Sequence, residues 1–238
     1  MRVMAVSPIN KRSGKVELSR YCKLAEQSKC DIIVFPSSFL PYYKNSTAFY
    51  EQQNIETLPG KVPDNLMVIV GVNEKAGEKL YKTTVSFTST GIKHIHRKMN
   101  LEQHYIDKGF SSGSGEDFQF YYDTLGIKIN PLECFETLFS ENWKGADLVT
   151  GSVGFGMLAK TDNYDCDYFD QWLNVIKTHC LLHNCYAVLS CNAQYRDIMT
   201  VAVNKSGEVV AMARDHGYFV VDLDKDDFQR HKTPYLQQ

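Results

Sequence analysis

The sequence predicts an α/β or α+β protein, and three observations predict it. Short β-branched apolar runs such as Asp31–Phe35 alternate with stretches of helical periodicity along most of the chain. At 238 residues, 43% of them hydrophobic, the chain can bury a substantial core. No run of about 18 apolar residues occurs, so no spanning helix is expected. The 26 Lys+Arg against 28 Asp+Glu give a net charge of −2, which excludes a large basic field. Nucleic acid and membrane are therefore not the expected partners. The start of the chain lacks the length and cleavage site of a secretory signal. Seven scattered cysteines, an odd number, point to reduced thiols and a cytoplasmic setting.

Taken in order, Arg2–Val6 reads as a first strand. Val16, Leu18, Tyr21, Cys22 and Ala25 then recur at helical spacing. Asp31–Phe35 is a strand covered on both faces, ended by Pro36. Leu66–Val72 is a second buried strand. Thr83–Thr88 alternates with Val85 and Phe87 on one face, and Gly91 turns into Ile92–His96. Lys108–Asp117 is rich in Gly and Ser and reads as loop. Gly126–Leu132 and Leu148–Gly151 are strand-like. From Tyr168 to Asn184, Phe169, Trp172, Leu173, Ile176, Cys180 and His183 make one helical stripe. Cys185–Cys191, Met199–Asn204 and Val209–Ala213 follow as strands, the last two joined at Ser206-Gly207. With no linker or repeat, residues 1–238 are expected to form a single domain.

Three clusters invite a functional reading. His179, Cys180, His183, Cys185 and Cys191 have donor types suited to zinc, but they lack a completing carboxylate. Core thiols and histidines are the preferred account, and no metal is expected. His94 to Lys98 is basic and reads as a solvated strand edge. Gly109–Gly115 has the wrong context for a phosphate cradle, and no cofactor is expected. Cys134 stands apart, where a strand gives way to a predicted helix. The first turn's N–H groups can lower a thiol pKa there and bind an oxyanion. Local sequence leaves open whether Cys134 is such a thiol or a buried structural one.

The segments taken together resemble the nitrilase (carbon–nitrogen hydrolase) superfamily. Val34-Phe35-Pro36 looks like the strand that leads to its catalytic Glu. Val70-Gly71-Val72, Leu80 to Thr83, Gly91 and His96-Arg97-Lys98-Met99-Asn100-Leu101 are similar to its path into the catalytic Lys. Phe110 and Gly113 match the next loop. Cys134-Phe135-Glu136 with Phe139 and Glu141 resembles the nucleophile motif, and Asn184 to Val188, Ser206 to Ala211 and Pro234 match the last third. The resemblance implies a four-layer α-β-β-α sandwich of two mixed sheets. It also implies pairing into a homodimer or larger even assembly through Asn142–Lys144 and the Tyr168–Asn184 helix, with Trp172 as an anchor. Specificity would come from Tyr42–Gln53 and Gly154–Asp167.

The family's chemistry is attack of a Cys on a small amide or nitrile, with a Glu as base and a Lys on the oxyanion. By position Cys134 and Lys98 are the nucleophile and the cation, and Ser37 stands where the base belongs. A hydroxyl cannot hold a thiol proton at neutral pH, and loss of a general base costs about 10²–10⁴ in rate. Glu136, Glu102 and Asp107 are candidate replacement acids, the last two also as displaced equivalents of a second family Glu. Glu133 precedes Cys134 directly, and strand alternation turns it to the opposite face, so it is not expected to replace the missing base. With no carboxylate at position 37, Lys98 is expected to depress the Cys134 pKa and make it the most reactive thiol, ahead of surface Cys22 and Cys166. Two functions follow: a carbon–nitrogen hydrolase of impaired activity, or an inactive nitrilase-fold protein that binds a ligand or partner. The family's acyl-transferring branch carries spanning helices and is set aside.

Overall fold

The computed structural model describes residues 1–8, 14–40, 50–51, 55–114, 118–154, 167–191, 200–213 and 217–224. Its strands are β1 (Arg2–Ser7), β2 (Ile32–Val34), β3 (Tyr50–Glu51), β4 (Met67–Ala76), β5 (Lys79–Thr88), β6 (Gly91–Arg97), β7 (Phe120–Tyr122), β8 (Ile127–Glu133), β9 (Leu148–Val153), β10 (Tyr186–Cys191), β11 (Thr200–Val203), β12 (Val209–Ala213) and β13 (Gly217–Asp222). The helices are α1 (Gly14–Gln27), the single turn α2 (Gln103–Ile106) and α3 (Asp167–His183).

Seven strands form one sheet in the order β13-β1-β2-β4-β5-β6, with β3 beside β4, and six form the other in the order β12-β11-β10-β9-β8-β7. Both sheets are mixed. In each, parallel strands (β1-β2-β4; β8-β9-β10) continue into antiparallel ones. Strand alternation then assigns the layers. Val3, Ala5, Ile32, Val34, Met67 and Ile69 face Ile127, Ile129, Leu148, Val188 and Ala202 between the sheets. Met4, Val6, Ile33, Phe35, Val68 and Val70 turn outward and meet Leu18, Tyr21, Cys22 and Ala25 of α1. On the far side Val149, Ala187, Leu189 and Val201 meet Trp172, Ile176 and Cys180 of α3. The result is the four-layer α-β-β-α sandwich that the resemblance implies. Each fully buried aliphatic in these layers contributes about 1.5–3 kcal/mol of burial.

Both long helices stop by the same device. Lys29 (φ 55°) and Asn184 (φ 51°) are left-handed, and the amides of Cys30 and Cys185 reach back to the carbonyls of Ala25 and Cys180 at 2.9 and 3.2 Å. That closure satisfies helix-end carbonyls and aims the chain into β2 and β10.

The structure corrects several expectations. Val16 does not join the helical stripe and is exposed, and Cys22 is buried rather than at the surface. His94 to Lys98 is not a solvated edge, because His96 and Lys98 are buried and the Arg97 guanidinium lies 2.7 Å from Glu74. The helix expected after Cys134 is instead a pair of 3-10 turns, Cys134–Leu138 and Ser140–Trp143. Trp172 is not an exposed anchor; it is buried, and its Nε1 donates to Thr137 Oγ1 at 3.3 Å. Cys166, Pro234, the side chain of Tyr168 and nearly all of Tyr42–Gln53 and Gly154–Asp167 lie outside the described residues.

Candidate active site

The strand ends of both sheets meet at one buried cluster. After β2, the Phe35 amide still bonds to Ile69 O at 2.8 Å, and the Ser37 amide then crosses to Val153 O of the other sheet at 3.3 Å. The crossing is close. A Cβ on Gly71 would sit 2.5 Å from Ser37 Cα, and one on Gly154 would sit 2.9 Å from Ser37 Cβ. Glycine at both positions is a packing requirement.

Cys134 follows the last residue of β8 with φ 53°, in the left-handed region that costs a non-glycine residue on the order of 1 kcal/mol or more. Its Sγ lies 3.7 Å from Gly154 O, and Thr137 Oγ1 donates to its carbonyl at 2.7 Å. The following turns are tied down by Asn142 Nδ2 to Glu136 O at 3.0 Å and Trp143 Nε1 to Thr137 O at 3.0 Å. Strained backbone persists when its surroundings fix it in this way.

Lys98 is buried just past β6, its amide on Lys82 O at 2.7 Å and its carbonyl accepting from Gly113 at 2.8 Å. Its Nζ donates to both oxygens of Glu102 at 2.8 and 2.6 Å. Burial pulls this ammonium down, but the Cys134 thiol and Glu102 outweigh it and its pKa is raised. Asp107 accepts from Gln103 at 2.9 Å on an exposed turn, so Glu102 is the acid placed at Lys98.

Glu136 is saturated. His96 Nε2 lies 2.6 Å from Oε2, the Met99 amide donates to Oε1 at 2.7 Å and the Glu133 amide to Oε2 at 3.0 Å. Burial alone would raise its pKa; these donors overcome that and hold it below the usual carboxylate range.

Glu133 overturns the alternation argument. Its side chain does leave β8 on the inter-sheet side, but Ser37 and Thr84 come to meet it from the opposite sheet. Ser37 Oγ donates to Oε1 and Thr84 Oγ1 to Oε2, the latter at 3.2 Å. A carboxylate thus stands against position 37 after all. Burial raises its pKa, with Lys82 and Lys98 opposing. Lys82 is a second buried ammonium, bonded to Ser38 Oγ and to Asn73 Oδ1 at 2.9 Å. Desolvation lowers its pKa, with Glu133 opposing. The two lysines flank Tyr105, with Nζ 5.0 and 5.5 Å from the ring centroid.

The expected depression of the Cys134 pKa is not found. Burial pushes the thiol up and Lys98 only partly offsets it, because Lys98 is already paired with Glu102 and is not an unbalanced charge. Sequence reasoning missed Lys82, Asn73 and Thr84. A lysine just ahead of the strand read at Thr83–Thr88, two positions before Thr84, was the available signal.

Residues 10–229 match the family model described as carbon-nitrogen hydrolase. The chain belongs to the carbon–nitrogen hydrolase family. Its architecture agrees at full length with members of known structure, at identities that bear on fold alone. Nit3 of Saccharomyces cerevisiae, a member of branch 10 of the nitrilase superfamily, superposes with a TM-score of 0.75 at 18% identity, over 100% of this chain and 96% of its own. A carbon-nitrogen hydrolase from Helicobacter pylori G27 gives 0.76 at 16%, over 96% and 91%. A mutant of the amidase from Nesterenkonia sp. AN1, with acrylamide added at its active-site cysteine, gives 0.74 at 12%, over 98% and 96%. Among curated sequences, the aliphatic nitrilase of Rhodococcus rhodochrous is 22% identical over 134 residues, 47% of this chain. That match spans 36% of the nitrilase's length.

Among the described residues of this carbon–nitrogen hydrolase family member, no group of three or more His, Cys, Asp or Glu could hold a metal ion. His179 faces Leu138 O at 3.1 Å and His183 faces Ser140 Oγ at 2.8 Å. No described helix is long and apolar enough to cross a membrane.

Proposed function

We propose that this protein hydrolyses the C–N bond of a small amide or nitrile through a thioester on Cys134. The observation that carries the reading is a left-handed Cys134 at the end of β8, with the Lys98 ammonium as the strongest charge opposing its burial. For an amide, Sγ adds to the carbonyl carbon and the carbonyl oxygen takes up negative charge. Lys98, held by Glu102, meets that charge, and the amine leaves with a proton. Water then releases the acid and restores the thiol. The Nesterenkonia amidase, whose active-site cysteine takes up acrylamide, supports the choice of nucleophile.

The raised thiol pKa favours a second reading, an inactive fold that binds a ligand or partner in the same pocket. Incubation with a panel of small amides and nitriles separates the two. Ammonia release that is lost in Cys134→Ala, and reduced about 10²-fold or more in Lys98→Met, is expected. Release that survives Cys134→Ala removes the thioester route.

The single-domain, cytoplasmic and homodimeric expectations belong to the same proposal. The six described cysteines all carry free thiols, which supports a reducing setting. Exposed Leu181 and Leu182 on α3 give a pairing face an apolar component that Trp172 does not.

A further inference from the structure

Resting on the hydrolase reading above, we infer that Glu133 is the proton acceptor of this pocket, reached through the Ser37 hydroxyl. Position 37 supplies no carboxylate, yet the Ser37 Oγ–H donates to Glu133 Oε1. Ser37 and Cys134 also converge on one residue. The Gly154 carbonyl is 3.7 Å from Cys134 Sγ, and the place of its absent Cβ is 3.3 Å from Ser37 Oγ.

The partners of Glu133 separate it from a structural acid. Glu136, three residues on, is held by His96 and two backbone amides that keep its pKa below the usual carboxylate range, which makes it a weaker proton acceptor. Glu133 shares a capping box with Glu136, taking its backbone amide, but its other partners are two hydroxyls, which rotate and both donate and accept. A buried carboxylate is costly, so an apolar residue here would be the cheaper filler. Burial raises the Glu133 pKa above the usual carboxylate range, which makes it a stronger proton acceptor than Glu136.

The step balances. As water adds to the thioester carbon, its O–H bond breaks and the proton passes to Ser37 Oγ. The proton of Ser37 moves to Glu133 Oε1. Collapse of the adduct breaks the C–S bond, and the proton returns through Ser37 to the Cys134 sulfur. Acylation uses the same relay, delivering the proton to the leaving amine.

Deacylation tests this without a cognate amide. An activated ester such as p-nitrophenyl acetate acylates a thiol without protonating its leaving group, so the acetyl-enzyme forms first and its hydrolysis is followed as the steady state. In Glu133→Gln the burst should keep its amplitude but form more slowly, because the thiol proton has lost its acceptor, while the steady state falls about 10²-fold or more, with acetyl-Cys134 accumulating by mass. Ser37→Ala should behave alike. Glu133→Asp should recover part of the rate and keep the fall of deacylation on the acid side that Gln abolishes. The groups facing Glu133 in that titration are Lys82, Lys98, Cys134 and Glu136. Moving the carboxylate back, as Ser37→Glu with Glu133→Leu, should also restore deacylation. A burst with Glu133→Gln deacylation within threefold of wild type overturns this inference alone. A wild type that never acylates Cys134 overturns it together with the hydrolase reading.

Discussion

Glu133 and Glu136 share one turn and carry opposite loads. The pKa of Glu136 lies below the ordinary 4.5, so its ionised form is favoured by folding. Its stabilisation is present at neutral pH and is lost as pH falls through the folded value. The pKa of Glu133 lies above 4.5, so folding penalises its ionised form. That penalty is absent in acid and grows as pH rises above the unfolded value toward the folded one. Glu136→Gln should cost about 3 kcal/mol at pH 7, since it breaks the buried pair with His96, and should flatten the acid side of the stability curve. Glu133→Gln should be more stable than wild type at pH 8 and converge with it near pH 4. Urea midpoints at several pH values check both, and shifts of the same sign and pH trend would sink the assignment. Ser37, Lys98 and Cys134 were legible because the ordered resemblance fixes their positions. Glu133 was not, because alternation gives the direction of a Cβ and says nothing about which residues of a facing sheet come within reach. Ser37→Glu is the substitution that would put a carboxylate at the family position of the base. Made alone it would set a second carboxylate against Glu133, and amide turnover should fall rather than rise.

Among the elements, the 3-10 segment Cys134–Leu138 sets the direction of the thiol, and α3 holds that segment in place. Trp172 Nε1 reaches Thr137 Oγ1 at 3.3 Å, and Thr137 in turn bonds the Cys134 carbonyl. Trp172→Ala should lose roughly 3–5 kcal/mol and slow the acylation burst beyond what a mild urea destabilisation of wild type produces. An unchanged burst would show that α3 supports the fold without positioning the thiol. The long elements were readable from periodicity, since their buried stripes coincide with it. The short ones were not. β7 has three residues, and β13 finds its partner β1 some two hundred residues away, where Arg2 faces Asp222. No local pattern carries such a pairing.

At the scale of the whole molecule, the proposed homodimer predicts light scattering above 27.2 kDa at micromolar concentration. Leu181→Ser with Leu182→Ser should shift the mass toward the monomer; no shift would place any pairing face elsewhere. The sheet order carries one more consequence. The chain through Lys98, just past β6, brings Ser37, Lys82, Thr84 and Lys98, and the chain from β7 brings Glu133 and Cys134 and returns β13 to the edge beside β1. Severed between Lys98 and β7, each fragment would hold only part of the proposed reactive groups, and the second would carry a strand that belongs to the first fragment's sheet. The gene could therefore be divided there into a complementation pair, with acylation of Cys134 reporting that the two pieces have found each other.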